Sequence, residues 1–542
     1  VLVDGESFMC QSFERANDED FYGFGEKFMD LNKRGLVHEI WNVDPASTMT
    51  YRSYKNVPFF MSTKGYGILL NQSTKSFFDM GSKSSESYNI KVHGDMLDYY
   101  VLHIDPVWMN MKSLVCNLEW GDNFSQHERM VQEMRSLGFK LSLWVAPYIP
   151  QDCRLYEEGI QGGYFLQDGE GNVIVNEGPM NFWSAPFVYV DFTNPQADRW
   201  FKEEIKRVIR EGCDVIKVDL GELGPDEAVY YNGMRGIEGH NFYTLEYSRV
   251  VFEATQEIKG HEAMIWVRSG FIGSQKFPVH WAGDVRCNYP NMAGQLRAIL
   301  NAGMSGFVFF SHDIGGFVGE PTPDLYARWY QFGMFTSHSR CHGGAKHEPW
   351  QYGEEVYQIC KKYTELRYSL LPQIYSSAVQ CVNQGEPMLK ALVLEYPHDY
   401  NVRNLDTQYL FTNDMLVAPV FMQEGVRKVY LPAGNWIDFW TRKGYTGQQW
   451  IDVYCSLDHM PIFIREGSMI VTTDVKDHIE ENSEWDTLYV DIYASSGQGS
   501  KHIYWSPTDY GTISYAMTPS GMQWNATNIS AKVRVNVIEV HV

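Results

Sequence analysis

The sequence predicts an α/β chain: a (β/α)8 TIM barrel flanked by an N-terminal β-sandwich and C-terminal β-sandwich domains. Three observations predict it. Apolar runs of strand length end again and again on a charged residue. Asp105 closes VLHID, Asp191 closes FVYVD, Asp219 follows CDVIKV, Asp284 follows VHWAG, Asp313 follows GFVFFSH, and Arg268 closes AMIWVR. Between these runs lie segments such as NPQADRWFKEEIKRVIREG and YTLEYSRVVFEATQEIKG, whose apolar residues recur at helical spacing. Strand, amphipathic helix and strand in alternation are the mark of parallel βα units. A closed barrel gathers the polar strand ends around one pocket, whereas an open sheet would spread them along a line. Third, both ends of the chain change to short strands broken by Gly, Ser and Asn.

Residues 1–100 carry the first of these β regions, with NVPFFMST, YGILLNQS and SFFDMGS as strands. The barrel is placed at 101–385. Within it, 150–187 is rich in Gly and polar residues and reads as an excursion, and helical patterning returns at EEVYQICKKYTELRYSLLPQIYSSAVQCV. A proximal C-terminal β-domain at 386–468 holds DMLVAPVF, RKVYLPAGNWIDFW and HMPIFIREG; a distal one at 469–542 holds DTLYVDIYAS and ISAKVRVNVIEVHV. A chain of 542 residues is too long for one core.

The barrel count does not close. Candidate strands end near Asp105, Pro147, Asp219, Arg268, Asp284, Asp313 and Ser337, seven where eight are needed. The first domain runs directly into VLHIDPVWM, so a strand and its return helix are missing between Tyr100 and Val101.

Composition excludes several classes of function. A net charge of −22 and the lack of any Lys/Arg stripe argue against nucleic acid. No apolar run is long enough to cross a bilayer. The opening VLVDGESFMC lacks the basic start and apolar core of an export signal, and the nine cysteines are scattered and odd in number, with Cys213 in a buried strand. Reduced thiols and a cytoplasmic setting are the expectation. Aromatic residues make up 15% of the chain, which suits β-sandwich cores or a cleft where flat rings cover sugars.

Two carboxylates facing each other across a substrate are the minimal equipment for glycoside hydrolysis. Asp219 and Asp284 are the pair. Lys217 lies two residues before Asp219, on the same strand face, where its charge holds the carboxylate ionised. Asp284 sits beside Trp281 and Gly283, whose poorly solvated wall raises its pKa, as a general acid requires. Arg268, Asp313 and His342 are left to hold sugar hydroxyls. A lone strand-end Asp is as readily a helix cap, and Asp191, followed by FTNPQADRW, is read that way. His312 reads as a core histidine bonded to backbone, and Glu222 as the start of the next helix. No His, Cys or Asp pair has the spacing of a known zinc site.

These residues resemble glycoside hydrolase family 31, the retaining α-glycosidases, most closely its α-xylosidase-type branch. KVDLGE is similar to the nucleophile motif, GSQKFPVHWAGD to the acid/base segment, GFVFFSHDIGGF to the substrate-binding strand and SRCHGGAKHEPW to the segment with the subsite histidine. FYGFGEKFMDLNKRG and LPAGNWIDFW are similar to signatures of the flanking β-domains. The resemblance implies Asp219 as nucleophile and Asp284 as acid/base, with Asp105, Trp144, Lys217, Arg268, Trp281, Asp313, Phe317 and His342 lining the subsite for the non-reducing sugar. It implies double displacement with retention and no metal or organic cofactor. The implied partner is a glycoside or oligosaccharide, with no nucleic acid and no membrane; a homo-oligomer is left open.

Pro106 and Val107 follow Asp105 where bacterial α-xylosidases of the family carry Cys and Phe, and the family's first barrel strand falls in the gap after Tyr100. Xylose and glucose therefore both remain open, as do α-glucosidase and α-transglycosylase chemistry. A sugar-binding homologue without catalysis is the reading from a different class, and the presence of both Asp219 and Asp284 weighs against it.

Overall fold

The computed structural model describes residues 2–3, 6–45, 47–94, 96–103, 126–178, 186–344, 346–479, 485–494 and 496–538. Asp105, Pro106 and Val107 lie outside them.

Two antiparallel sheets open the chain. One orders Leu2–Val3, Glu6–Glu14, Ser87–His93, Ser76–Asp79 and Val37–Ile40; the other orders Phe21–Gly25, Asn56–Ser62, Tyr66–Leu70 and Tyr99–His103. Strict alternation of buried and half-buried positions along Ser87–His93 turns Tyr88, Ile90 and Val92 to one side. There they meet Phe21, Phe60 and Ile68 of the other sheet in one core.

The last of these strands corrects the expected boundary. Tyr99–His103 pairs antiparallel with Tyr66–Leu70, in the register Leu70↔Tyr99 to Tyr66↔His103. The run VLH therefore continues the N-terminal sheet across Tyr100 and Val101 and does not open the pocket strands. A short apolar run ahead of an acid looks the same in an edge strand as in a barrel strand, and only its pairing partner separates them.

Five short strands, Ser142–Val145, Val215–Val218, Ile265–Val267, Val279–Trp281 and Phe310–Ser311, form one parallel row in chain order. Asp313–Ile314 and Arg340–Cys341 pair parallel as a second, two-stranded piece. Among the described residues the two pieces are not joined into a ring. The last strand lies three residues beyond the expected end at Ser337.

Crossovers run through helices Pro195–Arg210, Gly236–Lys259, Tyr289–Gly303 and Pro323–Gly333. Between Ile265–Val267 and Val279–Trp281 there is only a single turn, Ser274–Lys276. The N-terminal sheets pack there instead: Lys55 bridges to Gly270, and the Asn42 amide donates to the Gly270 carbonyl at 3.0 Å.

The excursion is a small unit of its own. Helix Arg154–Gly162 follows the first strand of an antiparallel sheet ordered Tyr148–Pro150, Phe187–Tyr189 and Val175–Asn176. Asp191 lies just past that sheet, away from the parallel row. Its carboxylate accepts from the Thr193 backbone and hydroxyl and from the Tyr231 backbone. The helix cap is Asn194, which accepts from the Gln196 N–H.

After helices Glu354–Ser369 and Leu371–Gln384 the chain is mostly β, interrupted by the short helical turns Leu392–Glu395 and Tyr400–Val402. A six-stranded sheet from Leu389–Ala391 to Ile462–Arg465 shares a core with the preceding helices, in which Trp329, Phe335 and Tyr363 meet Phe411 and Trp436. Later strands close a separate core around Val471, Val490, Ile503 and Ile513. All eight described cysteines are free, with Cys213 buried, and no helix among the described residues is long and apolar enough to cross a membrane.

Candidate active site

In-register pairing sets Trp144, Lys217 and Trp266 side by side across three parallel strands. Asp219 and Arg268 each follow one residue beyond the end of a strand, where the backbone leaves the row for a loop. Asp219 keeps its place because its N–H donates to the Val145 carbonyl at 2.9 Å. The chain then turns through a left-handed Leu220 (φ 61°) and Gly221 (φ 97°). A bulky residue in that region carries strain, and surrounding contacts must hold it. They do: the Tyr148 hydroxyl accepts from the Gly221 and Leu223 N–H groups, and the Ser269 hydroxyl donates to the Leu220 carbonyl.

The Asp219 carboxylate is enclosed by donors. Oδ2 accepts from the Trp144 indole at 2.6 Å and lies 3.2 Å from Lys217 Nζ. Oδ1 accepts from the Leu220 N–H at 2.9 Å and lies 2.9 Å from Arg268 Nε. Burial pushes this carboxyl up, but the Arg268 and Lys217 charges and the Trp144 hydrogen bond together outweigh burial and hold it below the ordinary carboxylate range.

Asp284 has the opposite environment. Its nearest cation is Arg268, at 3.5 Å, and Oδ1 is buried with no hydrogen-bond partner among the described residues. Burial, only partly offset by Arg268 and reinforced by the Asp219 charge, pushes Asp284 up to about 7. Two carboxyls of one cleft are thus driven apart, one ionised and one able to hold a proton at neutral pH.

Trp144, Lys217, Asp219, Asp284, Phe317 and His342 line a cavity of about 610 Å³, together with Trp266, Arg340 and Cys341. Arg268, Trp281 and Asp313 are buried immediately behind it. Trp281 forms a floor on which Lys217 Nζ lies 4.7 Å from the ring centre and the Arg340 guanidinium 4.9 Å. Asp313 is ion-paired with Arg340. His342 Nε2 lies 3.4 Å from Lys217 Nζ, and burial together with the Arg340 charge lowers this imidazole to about 4. The cavity therefore holds a neutral histidine. His312 is a buried core residue as expected, but its Nδ1 accepts from the Trp329 indole, a side chain where a backbone partner was expected.

Sequence reasoning missed several members. Trp266 could have been found, since it precedes Arg268 by two and shares its strand face. Arg340 carries no such signal. Asp44 and Tyr54 come from the chain ahead of the parallel row: the loop holding Asp44 is tied down where Asn42 accepts Asn56 and Thr48 bonds Asn291. It brings Asp44 Oδ2 to 3.4 Å from Arg268 Nη2, and the Tyr54 ring lies under the guanidinium at 4.8 Å. Glu222 starts no helix, because the next one begins at Gly236. It is fully buried and ion-paired with Arg268. The loop 219–235 is held by these side-chain contacts, which helical periodicity does not report.

Residues 19–377 match the model of the glycosyl hydrolases family 31 TIM-barrel domain, and 385–470 match the glycosyl hydrolase family 31 C-terminal domain. The chain is 31% identical to an α-xylosidase of Emericella nidulans, over 86% of this chain and 69% of the relative. It is 32% identical to the α-xylosidase XylQ of Lactiplantibacillus pentosus, over 86% and 70%. It superimposes on a glucose complex of a Flavobacterium johnsoniae dextranase of this family with a TM-score of 0.89 at 25% identity, covering 99% of this chain and 78% of that one. Of some longer solved structures that it matches, it spans 59–61% of the length.

Proposed function

The chain belongs to glycosyl hydrolase family 31, and from that premise we propose that it is a retaining, exo-acting α-glycosidase that removes terminal α-xylosyl or α-glucosyl units. The row of five parallel strands is read as an arc of a (β/α)8 barrel, with an N-terminal β-sandwich before it and two C-terminal β-domains after it.

One observation carries the reading: Asp219 is held ionised by Arg268, Lys217 and Trp144, while Asp284 is raised to about 7. In the first half-reaction Asp219 attacks the anomeric carbon, and Asp284 gives its proton to the departing glycosidic oxygen. The covalent ester then leaves Asp219 uncharged. Because the Asp219 charge is one of the causes that raise Asp284, its loss lets Asp284 fall toward the ordinary range. Asp284 can then take a proton from the water that attacks the ester, and the second inversion restores the starting configuration. Trp144, Arg268, Trp281, Asp313, Phe317 and His342 are assigned to the subsite of the non-reducing sugar, the one that becomes bonded to Asp219, with Lys217 beside the nucleophile.

Hydrolysis of para-nitrophenyl α-xyloside and α-glucoside, followed by NMR of the first-formed anomer, tests this. The expected result is an α-configured product, with Asp219→Ala at the blank rate on both substrates. A β-configured product, or undiminished activity in Asp219→Ala, overturns it. Transfer of the sugar to an added oligosaccharide in preference to water would favour the α-transglycosylase alternative.

A further inference from the structure

Four carboxyl groups converge on the Arg268 side chain. Asp219, Glu222, Asp44 and Asp284 all lie within ion-pair distance of the guanidinium, with Glu222 in the closest contact. Among the described residues, the second cation paired with one of these acids is Lys217, which is committed to Asp219. Lys55, which also faces Glu222, is paired with Glu26 at 3.9 Å and donates to the Trp281 carbonyl. The other titratable neighbours of Glu222 are Tyr54 and Tyr148, both fully buried phenols. If all four acids were ionised, two negative charges would stand uncompensated around two cations, which a dry interior does not tolerate.

Two protons are therefore required. One belongs on Asp284, where general-acid chemistry needs it. For the other, burial decides: the Asp44 side chain is 34% exposed and open to solvent, whereas that of Glu222 is completely buried. Glu222 Oε2 also has no hydrogen-bond partner among the described residues. An ionised carboxylate would leave that oxygen charged and dry; a protonated one leaves only a hydroxyl unmatched.

We propose that Glu222 is a positioning residue that works as a neutral acid, its Oε1 accepting from Arg268 and aiming the guanidinium at Asp219 without competing for its charge. It touches no substrate and acts through Arg268. The assignment rests on the α-glycosidase reading of Asp219 and Asp284. It makes the choice of side chain at 222 a matter of shape and acceptor geometry, which an amide reproduces and a methyl group does not.

The test compares Glu222→Gln and Glu222→Ala in kcat/KM against pH on para-nitrophenyl α-glucoside and α-xyloside. Glu222→Gln is expected to stay within about threefold of the parent with an unmoved acid limb. Glu222→Ala is expected to lose roughly 100-fold, the scale of a misplaced positioning group, with its acid limb moved to higher pH as Asp219 loses the aimed guanidinium. Should Glu222→Ala not fold, infrared difference spectra of the parent against Glu222→Gln at neutral pH provide a second measure. The expected result is a protonated-carboxyl stretch that the variant lacks. Glu222→Gln as impaired as Glu222→Ala, an unmoved acid limb in Glu222→Ala, or no lost carboxyl band would overturn the proposal. Full activity of Asp219→Ala would instead defeat the parent reading, and the infrared band would still report on Glu222.

Discussion

Arg268 Nε lies 2.9 Å from Asp219 Oδ1, at the ends of two adjacent parallel strands whose preceding residues, Val218 and Val267, are paired in register. Backbone pairing thus fixes the contact between a cation and the proposed nucleophile, and the charge arrangement of the cleft is built around it.

The pH dependence of kcat/KM follows from this arrangement. Activity needs Asp219 ionised and Asp284 protonated, so the alkaline limb is expected near the value of about 7 of Asp284, while the acid limb lies below the ordinary carboxylate range. A profile flat through neutral pH would contradict the assignment of the acid.

Stability should fall on the alkaline side for the same reason. Asp284 and Glu222 are each raised to about 7 in the fold, whereas the unfolded chain releases these protons near about 4. Their stabilising effect is complete below the unfolded value and is lost as pH rises through the folded one. Asp219 has the opposite sign: its contribution is present above the unfolded value and is lost as pH falls through its depressed one. Thermal unfolding across neutral pH should show a decline that Asp284→Asn flattens.

Lys217→Met removes one of the charges that lower Asp219. The acid limb of kcat/KM is expected to rise by about 1 unit. The same charge lowers Asp284, so the alkaline limb should rise too. A shift of only one limb would argue that Lys217 acts through His342 or the Trp281 face instead.

Gly283→Ala is expected to damage the site from one residue away. Gly283 has φ 66°, and a Cβ there would come within 2.1 Å of the Tyr54 ring, which supports the Arg268 guanidinium. Tyr54 must move, and Arg268 with it. A loss of kcat/KM of roughly 100-fold is the expected scale for such misplacement, seen in steady-state kinetics together with a lowered unfolding temperature.

Arg328 tests the joint between the helices and the C-terminal sheets. It is almost fully buried and donates to the carbonyls of Gln423, Cys455 and His459. Arg328→Met leaves these acceptors dry and should cost about 3 kcal/mol, measured by chemical denaturation. The residue is far from the cleft in contacts, so the folded variant should keep its rate.

Much of the cleft was legible along the chain. Lys217 and Asp219 are two apart on one face, Arg268 closes an apolar run, and Asp284 follows Trp281 behind a glycine turn. These are short-range patterns, and the period of a strand carries them. Glu222 was misread because a polar residue after a strand also begins many helices, and nothing local distinguishes a capping acid from one buried against an arginine.

The amino-acid order alone determined which strand ends carry acids, that one of them has a lysine on its own face, and which family the segments resemble. Only the tertiary structure decided that Tyr99–His103 joins the N-terminal sheet, that Asp44 and Tyr54 reach the cleft from a distant segment of the chain, and that one guanidinium faces four carboxyls. Strand periodicity is written into neighbouring residues. Pairing partners and shared counter-ions depend on segments far apart in the chain, 224 positions for Asp44 and Arg268, and their protonation is set by burial that exists only once those segments have packed.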